Sequence, residues 1–152
     1  MGKSIELSLP VNGNILPLTD VNDYLFNKKI IGDGVAIHPE DNYIFSPLDG
    51  EVILVYEAKH AVAIKSEDGL QVLIHVGIGS VKLEGRGFAT YVKIGDKVKK
   101  GDKLIFFDRE YVEKKASIVT PIVITNSELI DNFDINYKAR KNGETLLTII
   151  LK

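Results

Sequence analysis

The chain predicts an all-β fold, a sandwich or barrel of short strands with few helices. Two observations carry this. Short runs rich in Val, Ile, Leu and Phe recur along most of the 152 residues. Turn residues punctuate them at Pro10, Gly32-Asp33-Gly34, Pro39, Pro47, Asp49-Gly50, Asp68-Gly69, Gly95-Asp96, Gly101-Asp102 and Asn142-Gly143. Many short strands at such spacing bury one face each by closing into layers or a barrel.

Taken in order, residues 1 to about 10 read as a short N-terminal arm or an edge strand. Strands are expected at Gly13–Pro17, then at Gly34–Ile37 after the Gly-Asp-Gly turn, and at Tyr43–Ser46 between two prolines. Asp49-Gly50 opens Gly50–Tyr56, and Asp68-Gly69 separates Ala61–Lys65 from Leu70–Val76. Lys103–Phe107 follows Gly101-Asp102, then come Ile122–Thr125 and Thr145–Leu151, the last after Asn142-Gly143. Two short helices fit: Asp20 capping a turn through Asp23–Phe26, and Asp108 capping Tyr111–Ala116. No linker divides the chain, so 1–152 reads as one domain. Gly-Asp turns around short apolar runs, at Ser46–Val52 and again from Val92, make a faint internal echo. They resemble barrel-sandwich hybrids such as biotinyl and lipoyl carriers. Those carriers present Met-Lys-Met at a hairpin tip, and the only methionine here is Met1.

Composition excludes several classes. A net charge of −2 argues against nucleic acid, which needs a basic face. With no cysteine there is neither a disulfide framework nor a thiolate metal site, in keeping with the cytoplasm. Glu6 interrupts the stretch where a signal peptide would be apolar. No run approaches the roughly 20 apolar residues of a membrane helix, so no direct membrane insertion is expected.

The chemistry concentrates between Tyr56 and Val81, YEAKHAVAIKSEDGLQVLIHVGIGSV. Asp-Gly between two β-rich runs signals a hairpin. With Glu67-Asp68 as the loop, His60 stands opposite His75; with Asp68-Gly69, His75 faces Val62, diagonal to His60. Either register places both imidazoles on the face that carries Val62, Ile64, Gln71 and Leu73, with Cβ atoms about 5 to 8 Å apart. A lone histidine would more often be a core residue bonded to backbone. Two side by side each need partners for both ring nitrogens, which favours a shared metal, an acid–base pair, or a phosphoryl acceptor with a supporting donor.

Gly69-Leu70-Gln71-Val72-Leu73-Ile74-His75-Val76-Gly77-Ile78 resembles the active-site signature of the glucose-class enzyme IIA of the bacterial sugar phosphotransferase system. Gly79, Ser80 and Val81 continue it. Lys59-His60-Ala61, fifteen residues before His75, looks like the site of that family's second histidine. Gly32–Ile37, Ser46–Gly50, Gly85–Phe88 and Thr120–Val123 have counterparts at similar spacing, so the resemblance spans most of the chain.

The resemblance implies an antiparallel β-sandwich of the barrel-sandwich-hybrid type (a duplicated hybrid motif) and a phosphocarrier role. His75 would accept a phosphoryl group from the histidine phosphocarrier protein, HPr, and pass it to a cysteine of the IIB domain of a sugar permease. His60 would donate to the phosphoryl oxygens, and the Gly77 carbonyl would hold the second nitrogen of His75. No cofactor is required. Zinc could bridge His60 and His75 with a partner's carboxylate. Asp33, Val35, Leu73, Gly79, Ser80 and Val81 would face the partner, and regulated enzymes or transporters could be further partners. The chain departs from the family where Ser80 replaces Thr, Gly79 replaces Asp and Ala58 replaces the Thr two residues before the first histidine. Other readings are an interaction module with impaired transfer and a zinc hydrolase of related architecture, which would need a His-x-His pair where this chain has His75-Val76-Gly77. His38 reads as a solvated loop histidine, Glu84–Gly87 as turn chemistry and not a phosphate loop, and Lys97, Lys99, Lys100 and Lys103 as charges guarding a sheet edge.

Overall fold

The computed structural model describes residues 2–152, and Met1 of the arm lies outside them. The strands are β1 (Ser4–Ser8), β2 (Gly13–Pro17), β3 (Asp33–Pro39), β4 (Tyr43–Phe45), β5 (Gly50–Val55), β6 (Ala61–Lys65) and β7 (Gln71–His75). They continue with β8 (Phe88–Thr90), β9 (Lys97–Val98), β10 (Lys103–Phe107), β11 (Thr120–Ile124), β12 (Ile130–Ile135) and β13 (Thr145–Leu151). Helices α1 (Tyr24–Asn27) and α2 (Arg109–Glu113) are one turn each. A seven-stranded sheet runs β2-β3-β11-β7-β6-β5-β9, and two three-stranded sheets run β1-β13-β12 and β4-β10-β8. Every ladder is antiparallel. The all-β expectation holds, and the N-terminal arm is an edge strand paired to β13. Four strands carry the expected bounds unchanged: β2, β6, β10 and β13.

The main core lies between the sheets. Val35, Ile37, Val62, Ile64, Val72, Ile74, Ile122 and Ile124 line the inner face of the large sheet. They meet Leu147 and Ile149 from β13 and Ile44, Ile105 and Phe107 from the β4-β10-β8 sheet. A second, smaller core covers the outer face. There Leu18, Val21 and Phe26 pack onto Ala36, Ala61, Ala63, Leu73 and Val123. Three alanines leave the depth that lets this non-strand segment lie flat on the sheet.

That segment departs from the sequence expectation. Asp20 ends a 3-10 turn at Leu18–Asp20, and the helix after it is capped by Asp23, whose Oδ1 accepts the Leu25 N–H at 2.9 Å. Val21 is extended between the two, and Asn27 Nδ2 donates to its carbonyl at 3.0 Å, closing the helix back on its own entry. Asp108 does cap as expected, accepting from Tyr111 N, but its helix is Arg109–Glu113 and starts two residues earlier. His38 is exposed as expected, though on β3 and not in a loop.

The β6–β7 hairpin corrects the expected register. Ala61 pairs with His75, Val62 with Ile74 and Lys65 with Gln71, so the loop is Ser66–Leu70, five residues and not two. Ser66 Oγ accepts the Leu70 N–H, and Gly69 takes φ +91°. Asn126 clamps the loop from beyond β11, with Oδ1 accepting Gln71 N–H and Nδ2 donating to the Gly69 carbonyl. This long-range clamp is invisible in the local sequence. The one-residue shift exchanges the faces. His75 shares its face with Ala61, Ala63 and Leu73, while Val62 and Ile64 point into the main core.

Candidate functional site

The two histidines meet, but not by strand alternation. His60 lies just outside β6, in the tight turn from Tyr56 to Ala61. Tyr56 N–H donates to the Ala61 carbonyl at 3.0 Å and Lys59 N–H to the Tyr56 carbonyl at 2.8 Å. Lys59 is left-handed, with φ +66°, and this reversal turns the next side chain away from the direction the ladder would give it. The His60 carbonyl accepts Val76 N–H at 2.7 Å, which pins the turn to the end of β7. The imidazole centroids stand 4.7 Å apart with the ring planes at 86°.

His75 is fixed by its own backbone. Nδ1 lies 2.8 Å from the Gly77 carbonyl. An oxygen can only accept, so Nδ1 carries the proton and Nε2 is left with a free lone pair. Gly77 takes φ +84°, and a Cβ there would stand 2.6 Å from the Ser117 carbonyl oxygen, so glycine is required. Ser80 is buried and its hydroxyl donates to the Val76 carbonyl at 2.6 Å, tightening the turn that carries Gly77.

Both rings are kept neutral. Burial pushes His60 down from 6.5 to about 4, His75 beside it adds to the fall, and the Ala58 carbonyl acts in the other direction. Burial also lowers His75, partly offset by the Gly77 carbonyl and by the Asp23 carboxylate. Aromatic rings enclose the pair. Phe26 lies 5.1 Å from His75, and Tyr56 lies 5.2 Å from His60 and 6.1 Å from His75. An open depression of about 520 Å³ beside them is lined by Tyr56, Glu57, Ala58, His60, Val81 and Glu84. Exposed apolar side chains, Tyr24 and Leu25 next to Phe26 and Val81 next to Ser80, stand close by in the chain.

The residues expected to face a partner divide. Gly79 and Val81 are exposed beside the pair, while Ser80 is buried behind it. Val35 and Leu73 offer no contact surface. Val35 is 0% exposed in the main core, and Leu73, at 3%, lies under Leu18, Val21 and Phe26. Leu73 shares the face of His75 but is covered by the unexpected second core, and Val35 lies on the inner face of β3, opposite Ile122. Asp33 is on β3 where its row, through Ile124, reaches Val72 and not His75. Its carboxylate accepts from Gly34 N–H and pairs with Lys29 at 3.4 Å. The carboxylate that acts on His75 is Asp23. Asp23, Phe26 and Tyr56 are not site residues in the sequence reading: Asp23 and Phe26 bound a helical turn given to Asp20 as cap, Tyr56 opens the hairpin stretch, and nothing along the chain places α1 over β7. Among the described residues no group of three or more His, Asp and Glu is arranged to hold a metal ion.

Comparison with known proteins agrees with this geometry. A family model described as phosphoenolpyruvate-dependent sugar phosphotransferase system, EIIA 1, matches residues 5–130. The chain is 46% identical over 127 residues to a PTS system glucose-specific EIIA component of Oceanobacillus iheyensis, covering 83% of this chain and 77% of that protein. It is 44% identical over 143 residues to the protein of that name from Halalkalibacterium halodurans, covering 93% and 83%. In Staphylococcus saprophyticus a PTS system glucose-specific EIICBA component is 43% identical over 125 residues, which make up 82% of this chain and 18% of that protein. Among solved structures, glucose permease IIA from Mycoplasma capricolum superposes with a TM-score of 0.89 at 33% identity, covering 99% of this chain and 97% of that one. A two-histidine site on an antiparallel sandwich and a family match over residues 5–130 lead to one conclusion: the chain belongs to the EIIA 1 family of the phosphoenolpyruvate-dependent sugar phosphotransferase system.

Proposed function

We propose that the protein is a cytoplasmic phosphocarrier in which His75 takes a phosphoryl group from phosphorylated HPr and passes it to the IIB domain of a glucose permease. One observation carries this reading: the Nδ1–Gly77 hydrogen bond that leaves Nε2 of His75 neutral and free, 4.7 Å ring to ring from His60. The Nε2 lone pair attacks phosphorus in line. The new N–P bond forms as the donor's N–P bond breaks, and the donor imidazole leaves with the electron pair. His60 donates a ring N–H to the phosphoryl oxygens while charge redistributes. In the second step a IIB cysteine thiolate attacks and His75 departs as neutral imidazole. Catalysis is positioning, so no cofactor enters either step. The glucose assignment follows the names of the relatives. Incubation with enzyme I, HPr and labelled phosphoenolpyruvate should label the protein at one histidine; absence of label would sink the reading.

Zinc is proposed only as an accessory ligand. Two imidazoles supply half of a tetrahedral set, and a partner's carboxylate would supply a third ligand. Calorimetry should show weak zinc binding by the protein alone, which His60→Ala removes.

Two departures from the family make further tests. His60 Nδ1 is buried with no hydrogen-bond partner, and Ala58 lines the same depression. A hydroxyl in Ala58→Thr should restore a bond worth about 0.5 to 1.5 kcal/mol, or roughly two- to twelvefold in rate. Stopped-flow measurement should find onward transfer accelerated more than uptake. Gly79 is left-handed at φ +77°, but a Cβ there meets nothing within 4 Å. Aspartate tolerates that conformation better than most residues. Gly79→Asp should therefore cost at most about 1 kcal/mol, a fall in melting temperature of roughly 2–4 °C. It should tighten HPr binding a few-fold in a manner lost at high salt. Titration at two ionic strengths checks this.

A further inference from the structure

His60 poses a problem of orientation. It is 1% exposed, and its Nδ1 makes no hydrogen bond of ordinary geometry. The Ala58 side chain has no hydroxyl to offer. The Ala58 carbonyl beside the ring does not reach full hydrogen-bond geometry, and a supporting donor free to tilt would lose its aim at the phosphoryl oxygens, so packing must help fix the plane of the ring.

Ring packing is what surrounds it. Tyr56 stands 5.2 Å from His60 at 84° and 6.1 Å from His75 at 87°. One phenol ring is thus nearly perpendicular to both imidazoles, which are nearly perpendicular to each other. Phe88 closes the far side of His60 at 6.3 Å. Tyr56 is itself held. Its backbone makes two hydrogen bonds of the turn, and its side chain packs against the outer core that contains Phe26. Perpendicular ring contacts set a positive edge against a negative face and therefore favour a particular tilt.

We propose that Tyr56 is a positioning residue whose ring holds the imidazole pair in its perpendicular arrangement, in place of the side-chain hydrogen bond that Ala58 cannot give. The proposal rests on the phosphocarrier reading for its kinetic consequence, but not for its structural one. The ring is what matters, and the hydroxyl, for which the structure shows no hydrogen bond, is dispensable.

The test compares Tyr56→Phe, which keeps the ring, with Tyr56→Leu and Tyr56→Met, which keep apolar bulk without it. Single-turnover transfer is followed from labelled protein back to unlabelled HPr at saturating HPr, so that docking affinity does not enter. Tyr56→Phe should stay within about twofold of the parent. Tyr56→Leu and Tyr56→Met should be slower by about three- to tenfold, the range that an edge-to-face contact commands. In parallel, ¹⁵N spectra of the imidazoles should show one defined tautomer per ring in the parent and Tyr56→Phe, and tautomer averaging at His60 in the other two. Parent-like rates and ring signals in Tyr56→Leu or Tyr56→Met would overturn the proposal, as would a Tyr56→Phe variant as slow as they are. If the parent takes up no label, the phosphocarrier reading fails, and the ring signals alone decide whether Tyr56 positions the pair.

Discussion

His75→Ala is expected to abolish phosphoryl uptake, the largest effect any single change should have on activity. The substitution removes Nε2, the nitrogen left with a free lone pair once Nδ1 of the same ring is spent on the Gly77 carbonyl. His60 cannot take over. It is 1% exposed, too buried to take the place of the part-exposed His75 ring as nucleophile. His60→Gln should still take up label, because the acceptor is intact, but should pass it on about 10- to 100-fold more slowly. Loss of a transition-state donor outright costs about 10²–10³, and glutamine retains an N–H in a less exact place. His38→Ala is the control. That ring is exposed on β3 and should leave both steps unchanged. Rapid-quench labelling from phosphorylated HPr, with circular dichroism to confirm folding, measures all three. Label that persists in His75→Ala would remove the acceptor assignment.

How much of this was legible in the sequence depends on the range of the interaction that decided each feature. The strands of the large sheet other than β9 could be read because their apolar runs and turn residues are local. The hydrogen bond that holds His75, to the Gly77 carbonyl, could be read too, because it spans two residues. The register of β6 and β7 could not, because Asn126 sets the loop from 55 and 57 residues away. The histidines therefore meet for a reason other than the expected one: a left-handed Lys59 turns His60 toward His75, where simple alternation in this register would have parted them. The docking residues Val35 and Leu73 failed for long-range reasons too: Val35 faces the main core from β3, and the outer core covers Leu73. Strands β8, β9 and β12 are absent from the sequence reading. Two of them are only two or three residues long, and in β12 the apolar Ile130, Phe133 and Ile135 lose strict alternation at the irregularity between Ile130 and Asn132. Asp23 shows the limit most plainly. Its capping role is local, but its action on His75 exists only after α1 has packed on the sheet.

The second large effect is expected on stability, through pH. In the unfolded chain His60 titrates near 6.5; in the folded protein burial and the neighbouring imidazole bring it to about 4. The folded state thus resists the proton that the unfolded state accepts. Between those two values the unfolded state binds more protons, so stability rises with pH across that window and is flat above it. Acidification from pH 8 to pH 5 should cost about 2 kcal/mol from His60 alone, approaching about 3 kcal/mol below pH 4. His75 is lowered as well and adds loss of the same sign. Against a total stability of about 5–15 kcal/mol, this is a substantial fraction. Urea unfolding of the parent and of His60→Gln at pH 7.5 and pH 5 isolates the contribution. The parent should lose more than the variant by about 2 kcal/mol, and the variant's remaining slope belongs to His75 and the surface carboxylates. Equal losses in the two proteins would mean that His60 is solvated in the folded state, and with it the packed arrangement of the pair would fall. The same shifts bear on function. Because burial lowers His75 below its ordinary value, Nε2 keeps its lone pair to a lower pH than a solvated histidine would. Phosphoryl uptake should therefore fall off at lower pH than it would for a solvated histidine, which a pH profile of single-turnover labelling checks.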